Sequence, residues 1–227
     1  MTTVQVVWNP EPVNRIWLIR HGEAHVNHVP EDGLLRVVDE EGLTPLGAQQ
    51  AEMLRERISR TGEIHPDVVV TSTFMRAHQT AQIVSKAWDV PMVESDDVQE
   101  WRLGGDAVGL TVERALQSWA RIRMGEGHDD RLSPQTETHN EFVARVDDAL
   151  QQLPARYPEQ NIVVFTHGGV IARSLTTYLG LHPEASINGT HADHTSITEW
   201  RQQPDSTLAP WMLARYNDHS HLLDSPS

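Results

Sequence analysis

The sequence predicts an α/β fold, a mainly parallel sheet flanked by helices on both faces, in a single domain. Three observations predict it. Apolar runs of strand length stand at 15–20, 67–71 and 161–166. Each breaks into a short loop, and each is followed by a stretch with apolar residues at helical spacing. Strands that are apolar throughout need cover on both faces, and helices of this length between them supply it.

The elements follow in order. Arg15 to Arg20 reads as a buried strand breaking at His21-Gly22. Thr44 before Pro45 is an N-cap with proline at the first helical position, and Leu46, Ala51, Leu54 and Ile58 continue the helix to a stop at Gly62. Asp67 to Thr71 is the second strand, followed by a helix bearing Phe74, Ala77, Ala81, Val84 and Trp88 on one face. Val112 to Met124 and Phe142 to Leu153 read as two more helices, the latter opened by a capping box from Thr138 to Glu141. Asn161 to Thr166 is the third strand, and the helix after Gly169 carries Val170, Ile171, Ser174, Leu175 and Tyr178 on one side. Thr195 to Trp200 and Trp211 to Tyr216 look like strands joined by a turn around Pro204-Asp205, and Asp224 to Ser227 reads as a disordered tail. One domain over 1–227 is expected, with its core at about 13–222 and short flexible termini.

Composition narrows the function classes. With 227 residues, 38% hydrophobic and 22% charged, the chain can bury a full core. The formal charge is −14, and no basic stretch could track a phosphate backbone, so nucleic acid and anionic membrane are poor partners. There is no cysteine, which excludes disulfides and thiolate chemistry. Met1 to Pro12 lacks a basic and apolar leader, and no segment reaches membrane-spanning length, so a cytoplasmic location is expected. Thirteen histidines leave metal or acid–base chemistry open beside plain surface positions.

In open α/β sheets ligands bind beyond the carboxyl ends of the strands. Those ends carry Arg20-His21-Gly22-Glu23, Ser72-Thr73-Phe74-Met75-Arg76 and Thr166-His167-Gly168-Gly169. Two arginines and two histidines are thus expected to converge. Guanidinium forks fit phosphoryl oxygens, and helix N-termini add backbone N–H donors; glycine after each histidine is expected to let the anion approach the main chain. Phosphate is the anion these groups suit.

These blocks resemble the histidine phosphatase superfamily that includes the cofactor-dependent phosphoglycerate mutases. The resemblance rests on Arg20 to Glu23 with Asn27, Leu43 to Gly47, Arg76 to Ala81, Glu100 with Gly104, Glu141 to Val146, Val164 to Val170, Asn217-Asp218 and His221-Leu222. It implies a phosphoglycerate mutase-like fold and a metal-independent phosphomonoester hydrolase working through a phosphohistidine, on a small phosphorylated substrate and without cofactor. By that resemblance His21 is the nucleophile and Glu100 the acid that protonates the leaving alcohol. Arg20, Asn27, Arg76, His167 and Gly168 meet the phosphate, with His167 also counted among the catalytic residues. Asp96 and Asp97 are rival carboxylates for Glu100.

Other readings remain beside this one. A mutase would return the phosphoryl group to a second hydroxyl, but 29–41 does not match the long stretch of the phosphoglycerate enzymes. A non-catalytic phosphate sensor and a metal-dependent hydrolase are the rivals from other classes. The pairs His25 and His28, His191 and His194, and His219 and His221 form no recognisable zinc set and read as surface or supporting residues. Trp88, Trp101, Trp119, Trp200 and Trp211 read as core or pocket wall. The oligomeric state is left open, a homodimer included.

Overall fold

The computed structural model describes residues 13–36, 41–182, 190–204 and 210–223. The expected leader-free stretch 1–12 and tail 224–227 lie outside these residues, as does Asp205 of the expected turn. The three apolar runs form neighbouring parallel strands. β1 (Arg15–Arg20) and β2 (Val68–Ser72) both pair with β4 (Asn161–Thr166) between them, and Trp17 and Val69 both stand opposite Val163. β3 (Met92–Ser95) extends the parallel part beyond β2. β5 (Ile197–Gln202) and β6 (Trp211–Asp218) add an antiparallel hairpin beside β1, giving the order β3-β2-β4-β1-β5-β6.

Side chains alternate across a strand, so each apolar run feeds two cores. Ile16, Leu18, Val70 and Val164 meet Phe142, Val146 and Leu150 of α4 (His139–Arg156), and Val170, Ile171 and Leu175 of α5 (Gly168–Leu179). Trp17, Ile19, Val69 and Phe165 meet Ala51, Leu54 and Ile58 of α1 (Pro45–Thr61) and Ala81 and Val84 of α2 (Met75–Val84). Leu54 is fully buried, and truncating such a side chain to alanine costs about 2–5 kcal/mol. The third helix in the chain, α3 (Val112–Arg123), buries only Ala115, against Leu103, Ala107 and Leu132.

Caps fall where the sequence places them. Thr44 Oγ1 accepts from the Gly47 N–H at 3.0 Å. Thr138 and Glu141 make the reciprocal box at 3.1 and 2.9 Å. Four features differ, each for a physical reason. The expected face of α2 runs to Trp88, but the helix ends at Val84. Trp88 follows a 3₁₀ turn at Ser85–Ala87 and reaches the same core with its indole N–H bonded to Ile64 O at 2.9 Å. Helix α4 starts at its capping box and continues through Pro154 to Arg156. Proline there cannot bond the Leu150 carbonyl, and the buried Tyr178 hydroxyl donates to that oxygen instead, at 2.8 Å. Strand β3 escaped notice because its residues are mostly exposed at a sheet edge, without an apolar run. Thr195 is excluded from β5 by its φ of 57°, a left-handed conformation that a β-branched residue rarely adopts.

Candidate active site

The carboxyl ends of β1, β2 and β4 open on one cavity of about 1050 Å³, whose wall includes Arg20, His21, Asn27, Arg76, Glu100, Gly168 and Gly169. His21 leaves β1 with its backbone N–H on Thr166 O at 3.0 Å, and its ring is almost wholly buried. Its Nδ1 lies 2.7 Å from the carbonyl oxygen of Gly22. Only an N–H can bond a carbonyl, so Nδ1 carries the proton and Nε2 the lone pair. Burial first, then the charges of Arg76 and Arg20, hold His21 well below the usual histidine pKa. The adjacent arginines foreseen from the sequence thus rank second to desolvation.

The arginines are fixed from different elements. Arg20 donates to Ala192 O at 2.5 Å, while its Nε is buried with no hydrogen-bond partner among the described residues. Arg76, in the first turn of α2, is 3% exposed and lies over the Phe74 ring at 4.9 Å. Thr80 ties the two loops together, accepting from Gly22 N at 3.0 Å and donating to Arg76 O at 2.7 Å. Asn27 turns its Oδ1 onto the Ala24 N–H at 3.0 Å, holding the 3₁₀ turn that brings it to the cavity wall.

Glu100 sits against the start of α5. Its Oε2 accepts from Gly169 N at 2.8 Å and its Oε1 from Trp101 N at 3.1 Å. Arg145 of α4 grips the loop that carries it: one guanidinium nitrogen donates to the carbonyls of Asp97 and Gln99 at 2.9 and 3.0 Å, another to that of Glu100 at 3.3 Å. The same guanidinium is held by both oxygens of the nearly buried Glu137, at 2.8 and 2.7 Å. The rivals point elsewhere. Asp96 is bonded to Thr73 and Gln99, and neither Asp96 nor Asp97 lines the cavity.

Two placements add to the expectations. His167 is set behind the residues that line the cavity. It is fully buried at the N-terminus of α5, its ring 5.2 Å from that of His21 and edge-on to Phe74. Its Nε2 stands 2.8 Å from Ser72 Oγ, its Nδ1 has no partner among the described residues, and burial first, then Arg76, depress its pKa well below the usual value. The glycine beside His21 also serves a different end. A Cβ on Gly22 would lie 2.4 Å from Gly47 O, so the missing side chain admits the N-terminal turn of α1 rather than an anion.

Sequence reasoning missed three contributors. His194 places a half-buried ring 5.8 Å from that of His21, its pKa pushed down to about 4 by burial and then Arg20. Thr195 clamps the end of β1, its N–H on Arg20 O at 3.1 Å and its Oγ1 2.8 Å from His221 Nε2. Arg145 gave only a helical position in a capped helix, with no signal for a loop 45 residues earlier. Among the described residues, no group of three or more His, Asp or Glu is arranged to hold a metal ion, and no helix is long and apolar enough to cross a membrane.

Known proteins share this chain's sequence pattern and fold. The chain is 28% identical to a Bacillus subtilis phosphatase, PhoE, over 91% of this chain and 96% of that one. It is 26% identical to a metal-independent phosphoserine phosphatase of Arabidopsis thaliana, over 92% of this chain and 84% of the relative. A solved phosphoserine phosphatase from Entamoeba histolytica, in complex with 3-phosphoglyceric acid, shares the fold with a TM-score of 0.71 at 23% identity, over 92% and 99% of the two chains. The family model of the histidine phosphatase superfamily, branch 1, matches residues 16–218, and the chain belongs to that superfamily.

Proposed function

We propose that this phosphatase is a metal-independent phosphomonoesterase that works through a phosphohistidine on His21. The observation that carries the reading is the 2.7 Å bond from His21 Nδ1 to Gly22 O, in a buried ring beside Arg20 and Arg76. It leaves Nε2 unprotonated, as a nucleophile requires. In the first half-reaction the Nε2 lone pair forms an N–P bond as the P–O bond to the alcohol breaks, and Glu100 gives its proton to the departing oxygen. In the second, water gives a proton to the Glu100 carboxylate and forms the new O–P bond as N–P breaks. Arg20 and Arg76 neutralise the phosphoryl oxygens throughout, where a loose transition state spreads its charge. Asn27 and the start of α5 at Gly168 complete the phosphate site. His167, neutral and locked to Ser72, backs the His21 ring from within the core.

The test is a trapped intermediate. His21→Ala abolishes turnover of a phosphate ester, and acid quenching is avoided because the label on the wild-type enzyme is labile in acid and stable in alkali, as a phosphoramidate is. Turnover survives EDTA and is inhibited by vanadate, whose five-coordinate geometry resembles the in-line transition state. An acid-stable label, or activity lost to chelator and restored by zinc or manganese, overturns the proposal. Recovery of an isomeric phosphate ester instead of free phosphate assigns the mutase reaction, and phosphate binding without turnover assigns the sensor.

A further inference from the structure

The geometry points to a substrate whose alcohol is bulky and predominantly apolar, seated between α3 and the Trp101 side of the cavity; this rests on the phosphatase reading above. The cavity reaches the upper end of the 300–1,000 Å³ or so that enclose a drug-sized ligand, far more than a phosphoryl group needs. Its inner end holds the phosphate groups already described. Its outer part changes character. Leu116, Trp119 and Ile122 line the cavity from one broad face of α3, flanking the buried Ala115, and Trp119 also packs against the small cluster that Ala115 joins. Leu116 is 49% exposed and Trp119 and Ile122 are only partly buried, so part of this apolar face is left for the cavity.

Another part of the wall is aromatic and held by its own packing. Trp101, next in the chain to Glu100, has its indole N–H bonded to Glu137 O and its ring stacked on Phe142 at 6.1 Å. An alcohol leaving from Glu100 therefore meets an immobilised apolar surface at once, and Leu103 continues that wall. Charge on the outer wall is mostly committed. Arg36 is bonded to Asp32 at 2.7 Å and Arg173 to both oxygens of Asp147 at 2.6 Å. His139, against Trp101, is held neutral by burial at a pKa of about 4. Arg123 stands at the last position of α3, and Glu41 is the carboxylate on this wall. Among the described residues, Arg36 and Arg173 already hold carboxylates of the protein, so a carboxylated alcohol such as serine or glycerate competes for them, whereas hydrocarbon finds matched surface.

The experiment is a homologous series. For n-alkyl phosphates from ethyl to octyl, kcat/KM rises about three- to fourfold with each methylene that becomes fully buried, and O-phosphoserine, 3-phosphoglycerate and ethanolamine phosphate fall below octyl phosphate. Trp119→Ala and Leu116→Asn reduce the octyl-to-ethyl ratio by at least tenfold. Calorimetric binding of the matching alkylphosphonates gives the same trend without turnover. Rising phosphonate affinity with no hydrolysis supports the apolar subsite and removes the phosphatase reading. Hydrolysis with a flat series, a ratio that the two variants leave unchanged, or a carboxylated or amine-bearing ester ranking first overturns the subsite and leaves the phosphatase reading intact.

Discussion

Gly169→Ala is expected to act on the acid while sparing the phosphate grip. A Cβ built at Gly169 lies 2.2 Å from Glu100 Oε1 and 3.0 Å from its carboxyl carbon, so reaching the 3.4 Å of ordinary contact requires a retreat of about 1.2 Å. The 2.8 Å bond from Gly169 N to Oε2 cannot survive that shift at its present length. A misplacement of about 1 Å can cost on the order of 10² in rate, and a positioned acid contributes about 10² to 10⁴ in all. With an alkyl phosphate, whose oxygen needs a proton to leave, the single-turnover burst should therefore fall about 100-fold. With p-nitrophenyl phosphate, whose phenolate leaves unprotonated, the burst should change far less. Steady-state kcat is the wrong observable, because hydrolysis of the phosphohistidine also passes through Glu100. An equal fall for both esters refutes the reasoning by showing that the substitution disturbs phosphate binding. No fall with either shows that Glu100 is not the acid.

Two further outcomes follow from the geometry. Arg145→Met frees the 97–100 loop and strands Glu137, so the melting temperature drops, and the burst with alkyl phosphate falls more than that with p-nitrophenyl phosphate; Arg145→Lys restores little, since an ammonium cannot reach three carbonyls and both oxygens of Glu137 together. Stability falls on acidification: His139, His194 and His221 have folded-state pKa values of about 4 against 6.5 unfolded, and His21 and His167 are depressed as well, so the unfolded chain takes up protons that the native one refuses. Their contribution is complete above about pH 6.5 and is lost as the pH falls toward 4, which thermal unfolding across that range measures; a melting temperature that is constant from pH 7 to 4.5 contradicts it.

The fold was legible because it depends on features a single sequence displays. An apolar run such as Ile16 to Ile19 announces a strand buried on both faces, and the structure divides that run alternately between two cores. Thr44 and Thr138 announce helix starts because the cap is local, three residues wide. Where the sequence misled, the deciding contact came from far away. Helix α4 passes Pro154 because Tyr178, on α5, satisfies the carbonyl that proline abandons. No window around Pro154 contains that hydroxyl.

The site divides along the same line. Side chains that follow directly from a strand end, Arg20, His21 and Arg76, could be placed together from topology alone. Glu100 could not, since the strand before its loop, β3, is mostly exposed and shows no apolar run, and its position is set by two remote partners. Gly169 receives its carboxylate and Arg145 anchors its backbone, from helices that begin 68 and 39 residues later in the chain. Such a clamp leaves only an arginine within a helix and a glycine at a helix start, residue types with many commoner uses. The ion pair behind it has a cost of its own, because Glu137 and Arg145 are nearly out of water, and a buried pair of this kind often adds little net stability. Its five donated hydrogen bonds are better accounted for by what they hold still: the one loop on which the leaving oxygen's proton depends.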